Sequence, residues 1–273
     1  MSRSFHFLLV AGGIFWGGFA VQPCMAADSK VLPVTGESFQ LEGHEAFLIL
    51  PSAKVEGPVP WIWYAPTLPG LPGMEEKWMF EKFTAAGIAI AGIDVGESYG
   101  NAAGCKLFST LHKELTEHRG LSKKPVFLAR SRGGLMAYSW AVEHPELVAG
   151  IAGIYPVCNL ESYPGVDIAA GAYGVSREEM KLRLAEFNPL DRLAPLAKAQ
   201  VPIFHIHGDQ DAVVPLEKNS QAVQERLEKL GAKMGIMIPE GQGHNMWVGF
   251  FQCQSLVDFA IKQAKAGAVA GKP

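Results

Sequence analysis

The chain has 273 residues, 48% hydrophobic and 19% charged, with a formal net charge of −3 and a pI near 6.2. That length suits one large α/β unit or a domain with a modest insertion, and the apolar content excludes intrinsic disorder. The 30 glycines and 18 prolines follow no period, which excludes collagen and coiled coil, and no basic excess points to a nucleic-acid partner.

Arg3 precedes an uncharged apolar run, Phe7 to Val21, and Pro23-Cys24-Met25-Ala26-Ala27 supplies small residues for cleavage. The run is shorter than the ~18 residues of a membrane helix, so residues 1–26 are expected to be a signal peptide. The protein is expected to be secreted or periplasmic, with no membrane span once the signal is removed. Cys105, Cys158 and Cys253 remain, an odd number that allows at most one disulfide.

Phe39 to Glu42 and Ala46 to Leu50 flank Gly43-His44 as an antiparallel opening pair, and Val59 to Ala65 is a third strand. A helix is expected over Glu75 to Ala86, and Gly87 to Asp94 is a continuous apolar strand, the mark of a sheet covered on both faces. Helix Leu107–Arg119, strand Pro125–Ala129, helix Leu135–Val142 and strand Val148–Tyr155 follow. Residues 156–200 then show no strand and only one clear helix, near Arg177–Phe187, so this segment is expected to be a lid or insertion. Strand Val201–His207, helix Leu216–Leu230, strand Met234–Ile238 and helix Met246–Lys265 resume the alternation, and residues 266–273 look like a flexible tail. Alternating strands and helices predict an α/β fold with a mostly parallel, doubly wound sheet. Trp61, Trp63, Trp78 and Trp140 are expected in its core.

Ser131 stands where the strand ending at Ala129 meets a helix, with Ala129 two residues before it and Gly133 two after. Small residues at these positions permit the tight turn of a nucleophile elbow, which exposes the hydroxyl. Asp211, in His207-Gly208-Asp209-Gln210-Asp211-Ala212-Val213-Val214-Pro215, and His244, in Gly241-Gln242-Gly243-His244, also follow apolar strands. A serine hydroxyl needs a histidine to remove its proton, and the histidine needs a carboxylate to fix its tautomer. His205 and His207 share a strand face and are read as packed histidines rather than metal ligands. Cys158 lies outside the elbow and is rejected as a nucleophile.

These motifs resemble the α/β-hydrolase fold, in its dienelactone-hydrolase and prolyl-oligopeptidase-like branch, over roughly Glu45 to Ala264. The resemblance implies a hydrolase domain over 27–265, with Ser131, Asp211 and His244 catalytic and Asp209 a turn residue. It implies an oxyanion hole of backbone N–H groups, that of Arg132 together with Thr67 or Leu68. It implies no metal and no cofactor, and a small-molecule or carbohydrate ester as substrate. A peptidase or acyl-aminoacyl hydrolase with the same triad, or a binding protein on the same fold, are the alternatives. Arg130, Glu97, Tyr163, Tyr173 and Trp247 are the candidate substrate contacts. For Arg130 and Arg132 two roles stay open: gripping an acidic substrate, or pairing with acids such as Glu97 or Asp94.

Overall fold

The computed structural model describes residues 30–270, so the expected signal peptide lies outside the described residues. Two strands open the domain, β1 (Glu37–Leu41) and β2 (His44–Ile49). They pair antiparallel around Glu42 and Gly43, which both take positive φ as a two-residue hairpin turn requires. In chain order there follow β3 (Trp61–Ala65), α1 (Lys77–Ala85), β4 (Ala89–Ile93), α2 (Ala102–Lys113), β5 (Val126–Arg130), α3 (Gly133–Glu143) and β6 (Gly150–Ile154). Helices α4 (Val166–Tyr173), α5 (Arg177–Leu182), α6 (Leu184–Phe187) and α7 (Ala194–Lys198) precede β7 (Ile203–Ile206). The chain closes with α8 (Ser220–Lys229), β8 (Gly235–Met237), α9 (Val248–Phe251) and α10 (Gln254–Ala270).

The eight strands form one sheet in the order β1-β2-β4-β3-β5-β6-β7-β8, parallel from β4 through β8. Side chains alternate across it. Trp61, Trp63 and Phe127 enter one core layer with residues of α2 and α3. Ile62, Tyr64 and Leu128 enter the other with residues of α1 and α10. Trp61, Trp63 and Trp140 are fully buried, and Trp78 packs at the edge of the second layer.

Four expectations shift. Helix α2 begins at Ala102, before Leu107, because the Asn101 side chain caps it by accepting the Gly104 N–H at 2.8 Å. The helical stretch near 177–187 breaks into α5 and α6. The one expected from Met246 likewise divides into α9 and α10. Residues 266–270 are the end of α10 rather than a flexible tail. The small side chains let the helix lie flat: a Cβ on Gly267 would stand 2.6 Å from that of Ala149, and Ala268 is buried. Cys105, Cys158 and Cys253 are all buried, unpaired thiols. Among the described residues no helix is long and apolar enough to cross a membrane.

Candidate active site

Strand β5 turns into α3 through Ser131, which has φ +50. Left-handed backbone at a serine is costly, and three hydrogen bonds hold it. Ser131 N–H donates to Ile154 O at 3.0 Å, while Ser131 O accepts the N–H of Gly134 at 2.9 Å and of Val157 at 2.8 Å. A Cβ on Gly133 would lie 2.1 Å from Ala65 O, so only glycine lets α3 pass the end of β3. Ala129 fits without exposure.

The three sequence-selected residues meet. His244 Nε2 is 2.9 Å from Ser131 Oγ, and His244 Nδ1 is 2.7 Å from Asp211 Oδ2. The other oxygen of Asp211, Oδ1, accepts the N–H groups of Val213 at 3.0 Å and Val214 at 2.8 Å. Burial raises the Asp211 pKa, but hydrogen bonds from His207, His244 and Val214 outweigh it and hold the carboxyl well below its usual range. Asp209 is exposed; its Oδ1 accepts the Gly241 N–H at 2.7 Å and ties the acid loop to the histidine loop. The Tyr155 ring lies 4.3 Å from that of His244.

At the start of α3, the Arg132 N–H donates to no backbone carbonyl among the described residues, which leaves it free for a developing anion. On the facing loop the Leu68 N–H is not free. It donates to Leu71 O at 3.3 Å, so Leu68 is removed from the expected oxyanion donors and Thr67 remains.

The expected substrate contacts separate. Arg130 is buried and its guanidinium is engaged within the fold: Nη1 donates to Glu76 Oε1 at 2.6 Å, Nη2 lies 3.0 Å from Met246 Sδ, and the guanidinium covers Phe251 at 4.9 Å. Its acid is Glu76, neither Glu97 nor Asp94. Glu76 also accepts from Tyr64 Oη at 2.8 Å and from the Gly73 N–H at 2.9 Å. Arg132 Nε is 3.3 Å from Glu97 Oε1, an ion pair out of line for a hydrogen bond. Tyr163 meets Tyr99 edge-on at 6.3 Å, and Tyr173 donates to Tyr99 O at 3.1 Å. Trp247 is 39% exposed and edge-on to Phe250. His205 and His207 are fully buried and bonded to Tyr138, Ser220 and Val214.

Sequence reasoning missed Glu76, Tyr155 and Ser220. Tyr155 carried one usable signal, its place just after a strand on the same sheet edge as the triad. A glutamate in a helical stretch and a serine before a helix look like solvent-facing residues.

A profile of the prolyl oligopeptidase family matches residues 116–265. No curated protein matches in sequence. Among solved structures, a puromycin-hydrolyzing peptidase of Mycobacterium tuberculosis is similar at 15% identity and TM-score 0.67, over 84% of this chain and 39% of that one. The acylaminoacyl peptidase of Pyrococcus horikoshii is similar at 18% identity and TM-score 0.60, over 85% and 40%. Est1E from Butyrivibrio proteoclasticus is similar at 15% identity and TM-score 0.59, over 84% and 98%. The chain thus spans about two fifths of the length of the two peptidases.

Proposed function

The chain belongs to the prolyl oligopeptidase family of serine hydrolases, and from that premise we propose that it is an exported enzyme cleaving a neutral ester through an acyl-enzyme. The observation that carries the reading is the unbroken run Ser131 Oγ, His244 and Asp211 Oδ2, at 2.9 and 2.7 Å. Asp211 holds the proton of His244 on Nδ1, leaving Nε2 to take the Ser131 proton as Oγ attacks the ester carbonyl. The N–H groups of Arg132 and Thr67 receive the oxyanion, and His244 then returns the proton to the leaving alkoxide. Water repeats the cycle on the acyl-enzyme, and no step calls for a cofactor.

The rim supports a neutral substrate. Both arginines beside Ser131 are already matched with carboxylates, Arg130 with Glu76 and Arg132 with Glu97. Met246, Trp247 and Val248, just after His244, are exposed apolar surface. Residues 156–200 pack through Val157, Leu160 and Met180 on Leu135 and Val214, close in sequence to Ser131 and Asp211, which favours a lid that selects the substrate. The similar folds of two peptidases, those of Mycobacterium tuberculosis and Pyrococcus horikoshii, favour an amide as the second reading.

The test is fluorophosphonate labelling of the mature protein, followed by a panel of activated neutral esters and aminoacyl anilides. Label on Ser131, absent in Ser131→Ala, with esters turned over faster than anilides, is the expected result. Faster anilide cleavage establishes the peptidase, and label that persists in the variant removes Ser131 as the nucleophile.

A further inference from the structure

Behind the acid lies a second chain of hydrogen bonds that the reaction above does not use. Tyr138 Oη is 2.9 Å from His205 Nε2, and His205 Nδ1 is 2.9 Å from Ser220 Oγ. Ser220 Oγ is 2.8 Å from His207 Nδ1, and His207 Nε2 is 2.8 Å from Val214 O and 3.4 Å from Asp211 Oδ2. Both histidines and Ser220 are fully buried, and so is Tyr138.

The direction of every proton follows from the far end. The Val214 carbonyl can only accept, so His207 carries its proton on Nε2. The neutral ring then accepts at Nδ1 from the Ser220 hydroxyl. Its proton spent, Ser220 accepts from His205 Nδ1–H, which leaves His205 Nε2 bare to accept from Tyr138. Reversing the chain would leave the buried Tyr138 hydroxyl proton without an acceptor among the described residues, a loss no buried donor bears cheaply. Burial and the neighbouring His207 lower the His205 pKa to about 3, in keeping with an uncharged ring. The two histidines therefore hold opposite tautomers.

We propose that His207 is a positioning residue for Asp211: the Tyr138–His205–Ser220 chain fixes its Nε2–H on Val214 O at 2.8 Å, which steadies the Val214 N–H on Oδ1 and sets the His207 ring 3.4 Å behind Oδ2. This rests on Asp211 being the catalytic acid. Oδ2 then accepts from His244 in front at 2.7 Å with the His207 ring 3.4 Å behind it, while Val213 and Val214 N–H groups hold Oδ1. A carboxylate pinned at both oxygens cannot turn away from His244 as charge develops there. The chain begins on α3, the helix that follows the nucleophile, so the same helix sets Ser131 and, through four hydrogen bonds ending at Val214 O, the loop whose N–H groups hold the acid.

The experiment combines imidazole ¹⁵N spectra of the whole protein with a double-mutant cycle on an activated ester. The spectra should show His207 protonated at Nε2 and His205 at Nδ1. His207→Leu should lower kcat ten- to hundredfold with KM within twofold, and His207→Gln, which keeps a donor near that position, should recover most of it. In an Asp211→Asn background His207→Leu should cost nothing further. Should His207→Leu fail to fold, Ser220→Ala, which frees the His207 tautomer, takes its place in the cycle. A His207 protonated at Nδ1, or a loss that multiplies unchanged in the Asp211→Asn background, overturns the proposal. An Asp211→Asn variant of undiminished kcat instead overturns the acid assignment itself.

Discussion

Arg130 and Glu76 form a closed pair at 2.6 Å one residue before Ser131, their side chains only 7% and 0% exposed. The geometry makes Arg130 a wall of the core instead of a reader of substrate charge. Removing one partner of a buried pair leaves an uncompensated charge, which costs about 3–5 kcal/mol. Arg130→Gln is therefore expected to lower Tm by on the order of ten degrees, at about 2–4 °C per kcal/mol for a chain of this size. KM should move equally for an acidic and a neutral ester of similar size. A tenfold rise for the acidic ester alone, with Tm unchanged, would return Arg130 to the binding site.

Gly133 tests the elbow. Its missing Cβ would meet Ala65 O at 2.1 Å and Pro66 N at 2.3 Å, both backbone atoms with no freedom to give. Gly133→Ala should push α3 off the end of β3 and displace Ser131, with a stability cost of about 1–3 kcal/mol. The fluorophosphonate labelling rate should fall at least a hundredfold in protein that still melts cooperatively. Labelling at the wild-type rate would show that the turn tolerates a side chain.

The two aspartates of the acid loop separate by kinetics. Asp211→Asn removes the acceptor that keeps the His244 proton on Nδ1, and kcat should fall by about 10⁴. The Asp209 side chain accepts from the exposed Gly241 N–H on the facing loop. Asp209→Asn should cost about 1 kcal/mol of stability and change kcat severalfold at most. Equal losses in kcat would undo the assignment of Asp211 over Asp209.

The triad was legible because each member follows an apolar strand and stands among small or turn residues, features that sequence displays directly. The parallel sheet was legible for the same reason, through uninterrupted runs such as Ile88 to Ile93. Partners inside the core were not. Glu76 meets Arg130 across 54 positions of chain, and on α-helical spacing it looks like any solvated glutamate. The two strand histidines showed their shared face, but not Ser220, which lies 13 positions beyond His207 and joins the rings. Helix ends were misplaced where a single side chain or a close contact decides them, as Asn101 does for α2 and Gly267 for α10. Leu68 failed as an oxyanion donor because a local turn to Leu71 claims its N–H, a choice between two satisfied loops that the residue order Pro-Thr-Leu-Pro does not reveal.

His205 is expected to make the protein sensitive to mild acid. Burial, with His207 beside it, lowers its folded-state pKa to about 3, whereas an unfolded histidine titrates near 6.5. Between those values the unfolded chain binds a proton that the folded chain refuses. Stability therefore falls as pH drops from about 6.5 toward 3, by about 1 kcal/mol per pH unit from this residue, and is unaffected by it above pH 7.5. His205→Asn, which does not titrate, is expected to be less stable at pH 7.5 because it disturbs the bonds to Tyr138 and Ser220. Below pH 6.5 its stability should decline more gently, so that the two curves converge in acid. Urea unfolding at pH 7.5, 6.5, 5.5 and 4.5 measures both slopes. Parallel curves across that range would mean that His205 takes up its proton in the folded protein, and the ordered chain from Tyr138 to Asp211 would then have to break at its second member.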